Sequence, residues 1–227
     1  MIRFRPIMQK EQFPRAVCVS VAAFIVIFAY GFVRYNVYHG VPYERIPLFI
    51  NNKVLAVTST ALIALAYSLG PLARFLPRMF GAHVGLRKYL GLIGFGMASL
   101  HALISLLLLT PASYPKFFAG DGTMNFIGEL SMLFGVLTFF LFALIAISSI
   151  PAVVDQMEHA AWLAVQRSGY FGILLIIGHV VVMGYGGWLA PEKWPGGLLP
   201  MSLIAFIIAA TAIVLRTLAF LFPRKKS

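Results

Sequence analysis

The stretch RKYLGLIGFGMASLHALISLLLL, residues 87 to 109, decides the fold. After its basic pair, Arg87 and Lys88, it runs without a charge as far as Leu109. At about 1.5 Å of rise per residue, such a run crosses the roughly 30 Å hydrocarbon core of a bilayer. It also carries His101 near its middle. An imidazole is costly in hydrocarbon and needs a reason to be there.

The rest of the 227 residues follows the same pattern. Hydrophobic residues make up 60% and charged residues 11%, with a mean hydropathy of +0.89, values that no soluble globule of this size needs. The apolar residues fall in six blocks, about Ala16 to Arg34, Val54 to Leu76, Tyr89 to Thr110, Asn125 to Ile150, Val165 to Gly187 and Leu198 to Phe222. The expected fold is all-α, a polytopic six-helix bundle forming one domain over residues 1–227. The connections are too short to fold as soluble domains, so a nucleotide or flavin domain is expected on another chain. The basic stretch before the first block resembles a secretory leader, but the apolar run is too long and no small-residue cleavage site follows.

Orientation follows from the cations. Arg3, Arg5, Lys10, Arg15, Arg74, Arg78, Arg87, Lys88, Arg167, Arg216, Arg224, Lys225 and Lys226 fall on one side; Arg34, Arg45, Lys53, Lys116 and Lys193 fall on the other. This asymmetry predicts cytoplasmic termini and absorbs most of the net charge of +11. Anionic lipid is the expected partner of those charges, and the short loops offer no basic surface for nucleic acid. Trp162, Trp188 and Trp194 stand at block boundaries as interfacial anchors. Cys18 is the single cysteine, so no intrachain disulfide forms.

Of the five histidines, His39, His83 and His159 fall in loops, and only His101 and His179 lie deep in blocks. The third and fifth blocks run in the same direction. His101 lies 12 residues past Tyr89 and His179 lies 14 past Val165, about 18 Å and about 21 Å from the same boundary. Two level imidazoles on two helices suit a single metal centre, above all haem iron. Steps of three and four back from His101 reach Ala98, Gly94 and Gly91; those from His179 reach Ile176, Gly172 and Gly169. Gly94 and Gly172 are therefore candidates for haem clearance. The same spacing also fits a structural histidine pair in a helix contact, or a proton or ion path in a transporter.

The run LRKYLGLIGFGMASLHAL resembles the third-helix motif of the ferric-reductase-like transmembrane domain, in which a basic pair precedes Leu-Gly and a histidine follows that glycine by ten residues. WLAVQRSGYFGILLIIGHVVV is similar to the fifth-helix motif, and TSTALIALAYSLGPLAR resembles the second helix of MsrQ-type haem-binding subunits. The resemblance covers about residues 54 to 185. Family members include MsrQ (YedZ), the STEAP metalloreductases and the membrane domains of NADPH oxidases. The resemblance implies a b-type cytochrome, the electron-transfer subunit of an oxidoreductase system in a bacterial inner membrane. It implies one haem b with His101 and His179 as axial ligands, and FAD or FMN supplied with or by a partner. MsrQ-type chains carry a further histidine 13 residues before the fifth-helix ligand; here that position is Gln166, which argues for one haem and not two.

Secondary candidates follow from this reading. Lys53, Lys116 and Arg34 are placed to meet haem propionates on the outer side. Arg87 and Lys88, with Arg74, are placed to contact a flavin or a partner on the inner side. Glu129 lies near the start of the fourth helix, where the helix dipole favours a carboxylate. The expected function is electron relay to a partner or an outer-face acceptor, with a flavin reductase, a quinol or a periplasmic oxidoreductase as the separate redox partner. The alternatives are a self-contained ferric or cupric reductase at the outer haem edge, and a non-haem transporter or assembly factor.

Overall fold

A computed structural model describes the backbone of residues 6–222 and the side chains from Glu11 onward. Arg3, Arg5, Arg224, Lys225 and Lys226, and the side chain of Lys10, lie outside the described residues. The long helices are α1 (Pro6–Phe32), α2 (Asn51–Phe75), α3 (Leu86–Leu107), α4 (Phe126–Ile147), α5 (His159–Trp188) and α6 (Met201–Leu221). Among the described residues six helices are long and apolar enough to cross a membrane, as expected, and the chain is an integral membrane protein.

Several helices begin earlier than the apolar blocks do. The fifth starts at His159, behind the extended residue Glu158, so His159 occupies a first helical turn and not a loop. The segment HAAWLAVQ contains no glycine or proline, and a helix continues into water wherever its backbone is not interrupted. Hydropathy marks where the hydrocarbon begins, not where the helix does. At its C-terminal end α1 continues as a π-turn, Val33–Tyr38, in which Arg34 and Asn36 are buried.

The helix α2 is the centre of the bundle. Its most apolar 18-residue window is 78% buried, against 11–28% for the other five, whose outer faces are left to lipid. It packs chiefly on α3 and α6, with α1 against α2 and α3, while α5 packs on α4 and α6. In contrast, α3 and α5 have little direct contact.

Contacts gather cations at the two ends of the bundle. At one end Arg74 donates to the Phe222 carbonyl (3.0 Å), and Gln12 of α1 covers Gly85 at the start of α3. At the other end Tyr30 donates to the Leu199 carbonyl (2.9 Å) and Arg34 to that of Leu198. The indole N–H groups of Trp162, Trp188 and Trp194 donate to Ser148 O, Ser202 Oγ and Gly187 O, all within 2.9–3.0 Å. Each boundary tryptophan therefore ties neighbouring segments together.

Candidate functional site

His101 stands six residues before the end of α3, and His179 nine before the end of α5. Both residues are partly buried. They lie within electrostatic reach of one another, although their helices scarcely touch.

Each ring is held by its Nδ1 atom. His101 Nδ1 is 3.1 Å from the main-chain oxygen of Asn52 and 2.8 Å from its Oδ1. His179 Nδ1 is 2.9 Å from the main-chain oxygen of Ser131, with the Ser131 hydroxyl at 3.4 Å. A carbonyl only accepts, so both Nδ1 atoms carry the proton and both Nε2 atoms keep a lone pair. That is the tautomer a metal needs, with the usual carbonyl support for a ligating histidine. The donor set fits haem iron.

The glycines behave differently from their periodicity. Gly94 faces α2, where an added Cβ would stand 3.0 Å from Ile63 Cγ1 and 3.2 Å from Leu62 Cβ. Gly172 faces Phe142 of α4, at 2.8 Å. Both serve close helix contacts and do not line a space between α3 and α5. The small residue beside the site is Gly135 of α4, whose Cβ would sit 3.5 Å from the His179 ring.

Arg34, Lys53 and Lys116 gather as a group with aromatic faces for company. Lys53 Nζ lies 4.4 Å from the centre of the Phe49 ring, 5.4 Å from that of Tyr35 and 5.9 Å from that of Tyr114. Lys116 donates to the Met183 carbonyl and stands 5.0 Å over Phe117. Its stem is exposed, but its ammonium is shielded from water, and this burial pulls its pKa below the ordinary lysine value. Burial likewise raises that of Tyr114. The described residues contain one ion pair, Arg15–Glu11 at 3.3 Å, so Arg34, Lys53 and Lys116 have no carboxylate partner. Glu129, in the first turn of α4, is exposed.

Toward the start of α5, tyrosines join it to α2. Tyr67 donates to Gln166 O (2.9 Å) and Tyr170 donates to Tyr67 O (2.9 Å), with their rings 4.9 Å apart, edge to face. The Arg216 guanidinium lies 5.1 Å over the Tyr170 ring, and Arg87 Nε donates to Ala66 O (3.0 Å). Gln166 donates to Ser148 Oγ (3.0 Å) and Ser149 Oγ (3.2 Å), joining α5 to the end of α4. Lys88 is exposed. Sequence reasoning missed Asn52, Ser131, Gly135 and the ring contact of Arg216; the polar pair Asn51–Asn52 opening an otherwise apolar helix was the available signal for Asn52.

Comparison with known proteins agrees with this architecture. Metalloreductase STEAP2 of Mus musculus is 27% identical over 92% of this chain and 49% of its own length, and that of Homo sapiens is 27% identical over 92% and 48%. Metalloreductase STEAP3 of Rattus norvegicus is 23% identical over 90% and 48%. The chain thus spans about half the length of the curated relatives it matches. Residues 55–177, more than half of the chain and including α3 and most of α5, match the family described as ferric reductase like transmembrane component. A six-helix membrane chain with that match belongs to the ferric reductase-like transmembrane family.

Proposed function

We propose that the chain is a membrane b-type cytochrome in which His101 and His179 hold one haem between α3 and α5 and relay electrons to an acceptor at the outer face. The observation that carries this reading is the pair of imidazoles on two helices that barely touch, each with Nδ1 bound to a carbonyl and Nε2 free. Bound through two imidazoles, haem supplies a one-electron carrier with no open coordination position. The chain's own residues do the rest. Asn52 and Ser131 fix the two rings, and Phe95 and Phe139, with centroids 5.5 Å apart, pack α3 against α4 nearby. Arg34, Lys53 and Lys116 give the outer end a positive charge for propionates. Arg87 and Lys88 stand at the inner end toward a flavin or a partner. Cytoplasmic termini in a bacterial inner membrane fit the distribution of cations.

The competing use of the outer end is reduction of a metal ion there, and the metalloreductase relatives favour it. An anionic metal chelate would meet the same three cations. A donor that chemically reduces the haem, followed by mixing with ferric or cupric chelates, separates direct metal reduction from transfer to a protein or quinone.

The protein purified from haem-replete cells is expected to be coloured, with a reduced spectrum of low-spin b-type haem and one haem per chain. A second haem needs ligands about four turns earlier, where 14 residues give about 21 Å. Those positions hold Arg87 and Lys88 on α3, and Val165 and the engaged Gln166 on α5. His83 and His159 lie 18 and 20 residues before the deep pair, farther still. Pyridine haemochromogen assay with quantitative amino-acid analysis checks the ratio. A colourless protein would instead favour a transporter or assembly factor, and a ratio near two would end the one-haem arrangement.

A further inference from the structure

Asn52 is 1% exposed and, among the described residues, is the only one whose main chain and side chain both address His101; the Ser105 hydroxyl lies 3.4 Å from the same Nδ1. Its amide nitrogen is fixed in turn, donating to Ser105 Oγ (2.9 Å) and to the Tyr114 hydroxyl (3.3 Å). The main-chain carbonyl of Asn52 already makes His101 Nδ1 a donor, so Oδ1 is the amide end that faces it, and the two hydroxyls hold the amide in place. His179 has no such side chain; its ring relies on a main-chain carbonyl and a distant hydroxyl of Ser131.

We propose that Asn52 is a positioning residue for the metal-binding imidazole of His101, and that through it the chain sets the electron-donating strength of one of two chemically identical ligands. The inference rests on the haem reading above. An acceptor at Nδ1–H makes the opposite nitrogen a stronger donor, which favours the ferric over the ferrous state. A main-chain carbonyl gives a fixed contribution. The side chain of Asn52, oriented by Ser105 and Tyr114, adds one that substitution can change.

The test is redox titration of the full-length, haem-loaded chain in detergent, followed by its optical spectrum. Asn52→Leu has a similar volume and no acceptor. It should shift the ferric-to-ferrous balance about tenfold toward ferrous, a midpoint about 59 mV higher for a one-electron couple. Asn52→Asp keeps an acceptor at the same reach and should hold the midpoint at or below that of the wild type. Ser105→Ala, which frees the amide, should move it in the same direction as Asn52→Leu and by less. Loss of haem from Asn52→Leu with retention in Asn52→Asp supports the proposal equally, as rescue by the acceptor. Midpoints within twofold of the wild-type balance in both Asn52 variants, at full haem content, would overturn it. A wild type without haem would instead remove the haem reading, and nitrogen-15 spectra of labelled histidine then decide the rest. His101 stays Nδ1-protonated through the main-chain carbonyl of residue 52 in the wild type and in Asn52→Leu, but loss of the side-chain acceptor should move its Nδ1–H proton resonance upfield in Asn52→Leu and not in Asn52→Asp; an unmoved resonance in Asn52→Leu would overturn the inference.

Discussion

Alanine at either His101 or His179 is expected to lower haem content by tenfold or more and to abolish the low-spin spectrum of what remains. The effect should be equal for the two residues even though their supports differ, because a hexacoordinate iron needs both nitrogens. Removal of supporting partners around a metal ligand already costs on the order of 10–100-fold in affinity, so removal of a ligand costs at least as much. Each variant also loses a buried hydrogen bond to the main chain of Asn52 or of Ser131, at about 1 kcal/mol of stability. His83→Ala and His159→Ala are the matched controls: His83 lies in the 3₁₀ turn Gly81–His83 and His159 opens α5, both far from the pair, and haem content should stay at the wild-type level. Full haem retention in His179→Ala would mean that the two rings do not share one iron.

The second large effect is on folding. Gly169→Ala should destabilise the bundle by about 1–3 kcal/mol through overpacking, with about 1 kcal/mol more for the hydrogen bond it breaks. An alanine methyl there would overlap the hydroxyl end of Tyr67, which is 7% exposed, and dislodge its bond to Gln166 O. The ring has little room to yield, since Phe142 lies 6.4 Å and Tyr170 4.9 Å away, centre to centre. Gly91→Ala, one of the same stripe of small residues on the sequence, meets nothing within 4 Å and should be neutral or slightly stabilising, by up to about 1 kcal/mol of helix propensity. Thermal unfolding midpoints in detergent compare them directly. Equal shifts in both variants would show that the Tyr67 contact does not govern packing there.

The contrast between those glycines marks how far the sequence could be read. Six helices were legible because each carries a block near twenty apolar residues, and the deep histidines stood out because no charged side chain lies as deep in a block. Periodicity told which face of its own helix each glycine occupies, but not what stands opposite. Gly94 therefore read as room for a ring, whereas Leu62 and Ile63 of α2 fill that face. Asn52 escaped notice for a related reason: it is 49 residues from His101, at a helix start where an asparagine looks like an ordinary boundary residue. Gln166 was legible as a departure from one family pattern, and its serine partners across the α4–α5 connection account for it without a metal.

The segment 115–128, between α3 and the first turn of α4, is tied into a single knot. Lys116 reaches across to Met183, its carbonyl accepts from Asn125 Nδ2 (2.9 Å), Asn125 N donates to Phe117 O (2.8 Å), and Asn125 Oδ1 accepts from Gly128 N (3.0 Å). At the tip Asp121 accepts from Thr123 N (2.9 Å) and Oγ1 (2.7 Å), which holds its carboxyl below the ordinary range, while Gly122 takes the positive φ of 83°. Asn125 and Lys116 each take part in more than one of these bonds, so the segment does not loosen one bond at a time. It is expected to open as a cooperative unit, with the amides of Phe117, Asn125 and Gly128 exchanging with water at one shared rate, which native-state hydrogen exchange would read. A partner that had to pry this segment open to reach Lys116 would then pay for the whole of it at once.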